Sequence, residues 1–257
     1  MRSRRLIGLA LAIALVGVGL AHAELAQKGN LRLAFDARFA PHSLPRDRDV
    51  PVTVILSGSI RTTDGSRPPQ LRKISIAVNR YGRISTEGLP VCRPQRLQAT
   101  SSEAALARCG RALVGRGRFG ANVDFPELEF PVQGRMLAFN TRQRGKPAIA
   151  LHIYGTTPVE ATFVLIFRIE RPDRGRYGAV LTTRIPRIAA DLGYVTDLSL
   201  SFERRYRHRG EARSFVSARC AAPAGFPGAL FSFARGSFTF ATGQTMTTTL
   251  LRDCLVR

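Results

Sequence analysis

The sequence predicts an all-β protein: an antiparallel β-sandwich, or two packed sandwiches, with one short helix near residues 101–108. Three observations carry that expectation. Apolar residues alternate with polar ones through most of the chain. Gly- or Pro-bearing breaks interrupt the alternation at short intervals. Only one stretch has both the composition and the end signals of a helix. Short strands of this kind bury one face each, so they must pair and then pack face to face.

The first 23 residues stand apart from this pattern. Arg2, Arg4 and Arg5 precede an apolar run from Leu6 to Leu20, and Ala21-His22-Ala23 supplies the small-x-small pattern of a signal-peptidase site. The apolar run is shorter than the roughly 20 residues that span a bilayer. A cleaved signal peptide is therefore expected over residues 1–23, with the mature chain running from Glu24 to Arg257 and exported from the cytoplasm. No cysteine lies beside the cleavage point, which argues against a lipid anchor. No second long apolar run follows, so no membrane span is expected in the mature chain.

Taken in order, the strands begin with "PVTVILSGSI", where Val52, Val54 and Leu56 share one face. In "KISIAV" the same role falls to Ile74, Ile76 and Val78. The helix comes next, in "ATSSEAALARCG". Thr100 is the expected N-cap, Glu103 completes a capping box, the alanines favour helix, and Gly110 can end it in a left-handed conformation. "AIALHIY" places Ile149, Leu151 and Ile153 on one side and His152 on the other. "ATFVLIFRI" is apolar on both faces from Phe163 to Phe167, as a central strand would be. "YGAVLTTRI", "TDLSLSF", "FSFARGSFTF" and "QTMTTTLL" complete the series. A single mature domain is expected, with a subdivision near residue 125 as the alternative.

The four cysteines, Cys92, Cys109, Cys220 and Cys254, are an even number in a chain expected to be exported, so two disulfides are expected. Three pairings are open. Proximity favours Cys92 with Cys109 and Cys220 with Cys254. No pair has C-x-x-C spacing and no histidine lies nearby, so no metal site is expected.

Formal net charge is +21, and the three signal-peptide arginines carry three of it. A field of that size attracts polyanions without specifying which. Its sharpest concentration is "SFERRYRHRGEARSFVSARC". There Leu198, Leu200, Phe202, Arg204 and Tyr206 fall on one face, Gly210 permits a turn, and "RSFVSARC" returns as a partner strand. Arg204, Arg205, Arg207 and Arg209 with Tyr206 form a candidate anion-binding hairpin tip. One aromatic is a poor stacking platform, so no specific nucleic acid is expected.

Enzymatic signals are sparse. "GRGRFG" matches G-x-G-x-x-G at Gly115–Gly120, but Pro126 and Pro131 follow and no helix can start there, so no dinucleotide is expected. Glu127 and Glu129 sit on one face of one strand rather than across a cleft. Asp47 and Asp49 read as a turn. There is no nucleophile elbow, no H-E-x-x-H and no unpaired cysteine. His152 reads as a structural histidine. No catalytic residue and no cofactor is expected.

The segments "GLPVC", "EAALARCGRALVGRGRF", "LAFN", "GYVTDLSLSFERRYRHRG" and "RSFVSARC" resemble a family of uncharacterised exported proteins from high-GC bacteria. The resemblance implies a signal peptide and paired cysteines in the same places, and it brings no activity, substrate or catalytic residue. The functional expectation is a secreted or cell-envelope protein with a non-catalytic binding or structural role, its partners including anionic surface polymers. A secreted hydrolase with a site built from scattered residues is the alternative.

Overall fold

The computed structural model describes residues 24–125, 128–157, 160–187 and 193–257. The expected signal peptide and its cleavage site lie outside these. Strands dominate. The first seven are β1 (Glu24–Lys28), β2 (Leu31–Ala40), β3 (Ser43–Leu44), β4 (Val50–Pro51), β5 (Thr53–Thr62), β6 (Leu71–Asn79) and β7 (Gly82–Ile84). The helix α1 (Ser102–Cys109) follows, then β8 (Leu113–Phe125), β9 (Leu128–Gln143), β10 (Lys146–Gly155), β11 (Ala161–Glu170) and β12 (Tyr177–Arg184). The chain ends with β13 (Gly193–Phe202), β14 (Arg205–His208), β15 (Glu211–Ser214), β16 (Val216–Ala218), β17 (Gly228–Phe240) and β18 (Thr245–Val256).

Thirteen of these strands form one sheet in the order β1-β2-β5-β13-β8-β9-β10-β11-β12-β6-β17-β18-β3. The pairings are antiparallel except for β18 with β3. The strands before and after residue 125 belong to this same sheet, β8 pairing with β9 from Leu113↔Phe139 to Phe125↔Leu128. The sheet curls until its flanks face each other across an apolar interior, as the layers of a sandwich would. The curl brings β18 against β2: the Arg252 Nε donates to the Ala37 carbonyl at 2.9 Å, and the Arg252 guanidinium pairs with the Asp36 carboxylate. Phe35 and Phe238 meet edge to face at 5.5 Å across the same seam.

Alternation explains why the curl is stable. In β2, Leu31, Leu33, Phe35, Ala37 and Phe39 are all buried and point inward. Their registered neighbours Ile60, Leu56 and Val54 on β5, then Leu198, Leu200 and Phe202 on β13, continue the apolar face. Tight curvature needs room for the backbone. A Cβ at Gly117 on β8 would collide with the Ser199 carbonyl, and one at Gly134 on β9 with the Tyr154 carbonyl. The G-x-G-x-x-G stretch therefore lies wholly within a strand, and its glycines serve close strand approach.

One end of the interior is bordered by a small sheet, β4-β16-β7, whose Ile84 and Val216 join the same core as Val52. The opposite face of β9, β10 and β11 is covered by α1. There Leu137, Phe139 and Ala150 pack with Leu97, Ala105 and the Cys92–Cys109 disulfide in a second core. The second disulfide, Cys220–Cys254, fixes the segment after β16 to β18, with Cα atoms 5.7 Å apart. Both bridges are those that proximity favours. No helix among the described residues is long and apolar enough to cross a membrane.

The helix starts one residue later than its sequence signal implies. Ser101 is the N-cap, accepting from the Ala104 amide at 3.2 Å. Thr100 is diverted: its hydroxyl donates to the Leu97 carbonyl at 3.1 Å and its own carbonyl accepts from His152 and Thr162. Glu103 reaches out to Arg135 at 2.8 Å instead of closing a capping box. Gly110 is right-handed, with φ −55°, because the chain runs on into a 3-10 turn over Gly110–Ala112 before entering β8.

Candidate functional site: an apolar interior with charged rims

The concave face of the curled sheet encloses a cavity of about 200 Å³. Nearly every strand contributes to its wall: Phe35 and Phe39 from β2, Leu56 from β5, Ile76 and Val78 from β6, Phe119 from β8, Ile153 from β10, Phe167 from β11, Leu198 from β13 and Phe233 from β17. Val54, Leu56, Ile76, Val78, Phe119, Ile153, Phe167 and Leu198 all pack against the main core yet remain partly accessible, so the interior is incompletely filled. The cause is geometric. About eight strands close around an interior that side chains can just fill, and interiors widen with strand number. Thirteen strands curl around more space than valines, isoleucines and leucines can occupy.

Polar groups line this cavity only at its ends. Towards one end sit Ser59, Thr196 and Asp197, the Thr196 hydroxyl donating to the Asp197 carboxylate at 2.9 Å. At the other end, beside the small sheet, are Asn79, Tyr81, Ser217 and Arg219. Asn79 is satisfied, donating to the Ser232 carbonyl at 2.8 Å and accepting from the Tyr81 amide at 3.0 Å. The Arg219 guanidinium lies 5.4 Å over the Tyr81 ring and donates to Asp49 at 3.3 Å. Tyr81 is 37% exposed, so this end reaches solvent.

The arginine-rich stretch stands apart from the cavity. β14 and β15 pair from Arg205↔Ser214 to His208↔Glu211, and Arg209 (φ 51°) and Gly210 (φ 81°) form the two-residue turn. Both central residues have positive φ, the pattern of a type I′ hairpin turn. Arg205, Arg207 and Arg209 are exposed, whereas Arg204 is partly buried and its carbonyl accepts from the Phe215 amide at 2.8 Å. Tyr206 is anchored: its ring packs against the main core and its hydroxyl donates to the Glu87 carbonyl at 2.7 Å. Arg213 pairs with Glu87 at 3.0 Å and Glu211 at 3.1 Å, and the glutamates raise its already high pKa.

The remaining candidates have structural partners. His152 is fully buried on the face under α1, its Nε2 donating to the Thr100 carbonyl at 3.0 Å. Burial holds its pKa below the usual histidine value, and the carbonyl contact only partly offsets this. Glu129 accepts from the Tyr194 hydroxyl and the Asn122 amide, which lower its pKa. Glu127 lies outside the described residues. Asp49 contacts Arg219 and Arg83. Asp64 accepts from Ser66 and Asn30, and these bonds hold its carboxyl well below the ordinary range. Among the described residues no group of three or more His, Cys, Asp or Glu could hold a metal ion.

No protein-family model, curated protein or solved structure matches the chain. The cavity and its two charged rim residues, Asp197 and Arg219, escape sequence reasoning. Asp197 reads as one polar position in an alternating strand, and Arg219 as the end of the returning hairpin. The available signal was the number of strand segments, which exceeds what a side-chain-filled barrel needs.

Proposed function

We propose that the protein is a non-catalytic binding protein of the extracytoplasmic space whose ligand places an apolar chain inside the curled sheet. The observation that carries this is the partly accessible apolar wall, contributed by strands on every side of the interior. A dry cavity of about 150 Å³ is enough to hold benzene, and ligand sites are typically concave and apolar with a few polar groups at defined points. The two disulfides support an oxidising compartment. A ten-carbon chain, at about 0.8 kcal/mol per methylene, has a ceiling near 8 kcal/mol, a roughly micromolar dissociation constant before immobilisation costs.

The test is displacement of an environment-sensitive dye by 1-decanol. Wild type should take up the dye and release it saturably. Ile76→Phe/Leu198→Phe, which fills the interior, should lose uptake while unfolding at the same temperature or higher. Absence of decanol binding to folded wild type sinks the reading.

A second reading, weak attachment to anionic surface polymers, draws support from the exposed Arg205, Arg207 and Arg209 at the hairpin tip. It is compatible with the first, because the tip and the interior share no residue. For the hydrolase alternative, the described residues offer one histidine–carboxylate approach, His208 Nε2 to Glu87 at 3.8 Å, and Glu87 is already held by Arg213.

A further inference from the structure

The apolar interior has two polar ends, and they differ in what head group each can receive. Among the described lining residues Asp197 is the only acid and Arg219 the only base. Strand register separates them. Asp197 is opposite Ser59, five residues along β13 from the Phe202↔Val54 pair that borders the small sheet. At about 3.3 Å per residue that is roughly 16 Å. Arg219 directly follows β16, whose Ala218 pairs with Val50 and Gly82 inside that small sheet. Arg219 therefore lies at the end of the apolar space away from Asp197, whose exposed carboxylate sits beside Gly120 on the face of the sheet opposite Phe119.

Their surroundings differ. Asp197 accepts from its neighbour Thr196 and has no cation within ion-pair distance among the described residues. Arg219 presents a planar guanidinium backed by Tyr81, with one side-chain nitrogen on Asp49 and the rest of its fork uncommitted. Its side chain is 38% exposed, and Ser217 lines the same end. A guanidinium placed over an aromatic ring and held by one carboxylate is suited to bidentate recognition of a carboxylate or phosphate.

We infer that the ligand is a single-chain anionic amphiphile, with its chain in the interior and its carboxylate or phosphate head at Arg219, beside Tyr81 and Ser217. The inference rests on the apolar-chain reading above and adds the head group and the direction of entry.

Four ten-carbon probes test it by competition against the same dye: decanoate, decyl phosphate, 1-decanol and decyltrimethylammonium. Anionic probes should bind about tenfold tighter than decanol, the worth of one charge-assisted contact. The tighter of the two anions identifies the head as carboxylate or phosphate. Arg219→Gln should bring the anionic probes to within about twofold of decanol and leave decanol itself unchanged. Should that variant fail to fold, wild type in high salt gives the same reading, the anionic advantage shrinking while decanol binding holds. Equal binding of decanoate, decyl phosphate and decanol overturns the head-group assignment but not the apolar-chain reading. So does tighter binding of the ammonium probe, which would place the head at Asp197, or an anionic preference that survives Arg219→Gln. Failure of all four probes overturns the apolar-chain reading itself.

Discussion

Replacing Arg252 with Met should open the seam of the curled sheet. Arg252 on β18 pairs with Asp36 on β2 and donates to the Ala37 carbonyl, so one side chain joins strands near opposite edges of the sheet. Both partners are largely buried, at 11% and 13% side-chain exposure. Removing one member of a buried pair costs about 3–5 kcal/mol, because the other is left charged without a partner. For a chain of this size that is a fall in unfolding temperature of roughly 6–20 °C, at about 2–4 °C per kcal/mol. Asp36→Asn/Arg252→Met, which removes both charges, should recover a large part of the loss. Urea unfolding of the two single variants and the double variant gives the coupling directly. A loss under about 1 kcal/mol in Arg252→Met, or strict additivity in the double variant, would refute a seam held by this pair.

Three further outcomes are expected. Cys92→Ala/Cys109→Ala should destabilise by about 3 kcal/mol through a looser unfolded chain, and peptide mapping without reductant should recover Cys92–Cys109 and Cys220–Cys254 as linked pairs. His152 is held neutral by burial, so below its ordinary value of 6.5 the unfolded chain takes up a proton that the native chain refuses. Stability should therefore be fully present above pH 6.5 and decline as pH falls, and His152→Gln should flatten the change in urea midpoint between pH 7.5 and 5. Arg205→Ala/Arg207→Ala/Arg209→Ala should weaken retention on an anionic resin, most visibly at low salt, while stability shifts by only about 0.5 kcal/mol.

Much of the fold is legible in the sequence because alternation is a local signal. The inward positions of "PVTVILSGSI", "KISIAV" and "AIALHIY" read directly from period two, and so does the placement of His152 on the opposite face. The single helix is legible from its alanines, and the two disulfides from spacing in a predominantly β chain. Which strands lie side by side is not local. β13 sits between β5 and β8, and β6 between β12 and β17, pairings fixed by long connections that composition does not encode. The cap shifted from Thr100 to Ser101 because His152, 52 residues away, claims the Thr100 carbonyl. The glycines of "GRGRFG" are explained by a neighbouring strand that the sequence does not place there. The cavity is hidden for the same reason: each wall residue looks like ordinary core, and only the number of strands around the curl leaves it unfilled. Of the arginines, the exposed tip is conspicuous by density, whereas Arg219 becomes significant only through its position at the cavity end.

The central claim is that the interior binds an apolar chain, and calorimetric titration of 1-decanol into the folded protein at several temperatures tests it most directly. Burial of apolar surface gives a negative heat-capacity change whatever the sign of the enthalpy. Saturable one-site binding with a clearly negative heat-capacity change is expected, abolished in Ile76→Phe/Leu198→Phe. Heats that never saturate, a heat-capacity change near zero, or equal binding to the filled variant would contradict it.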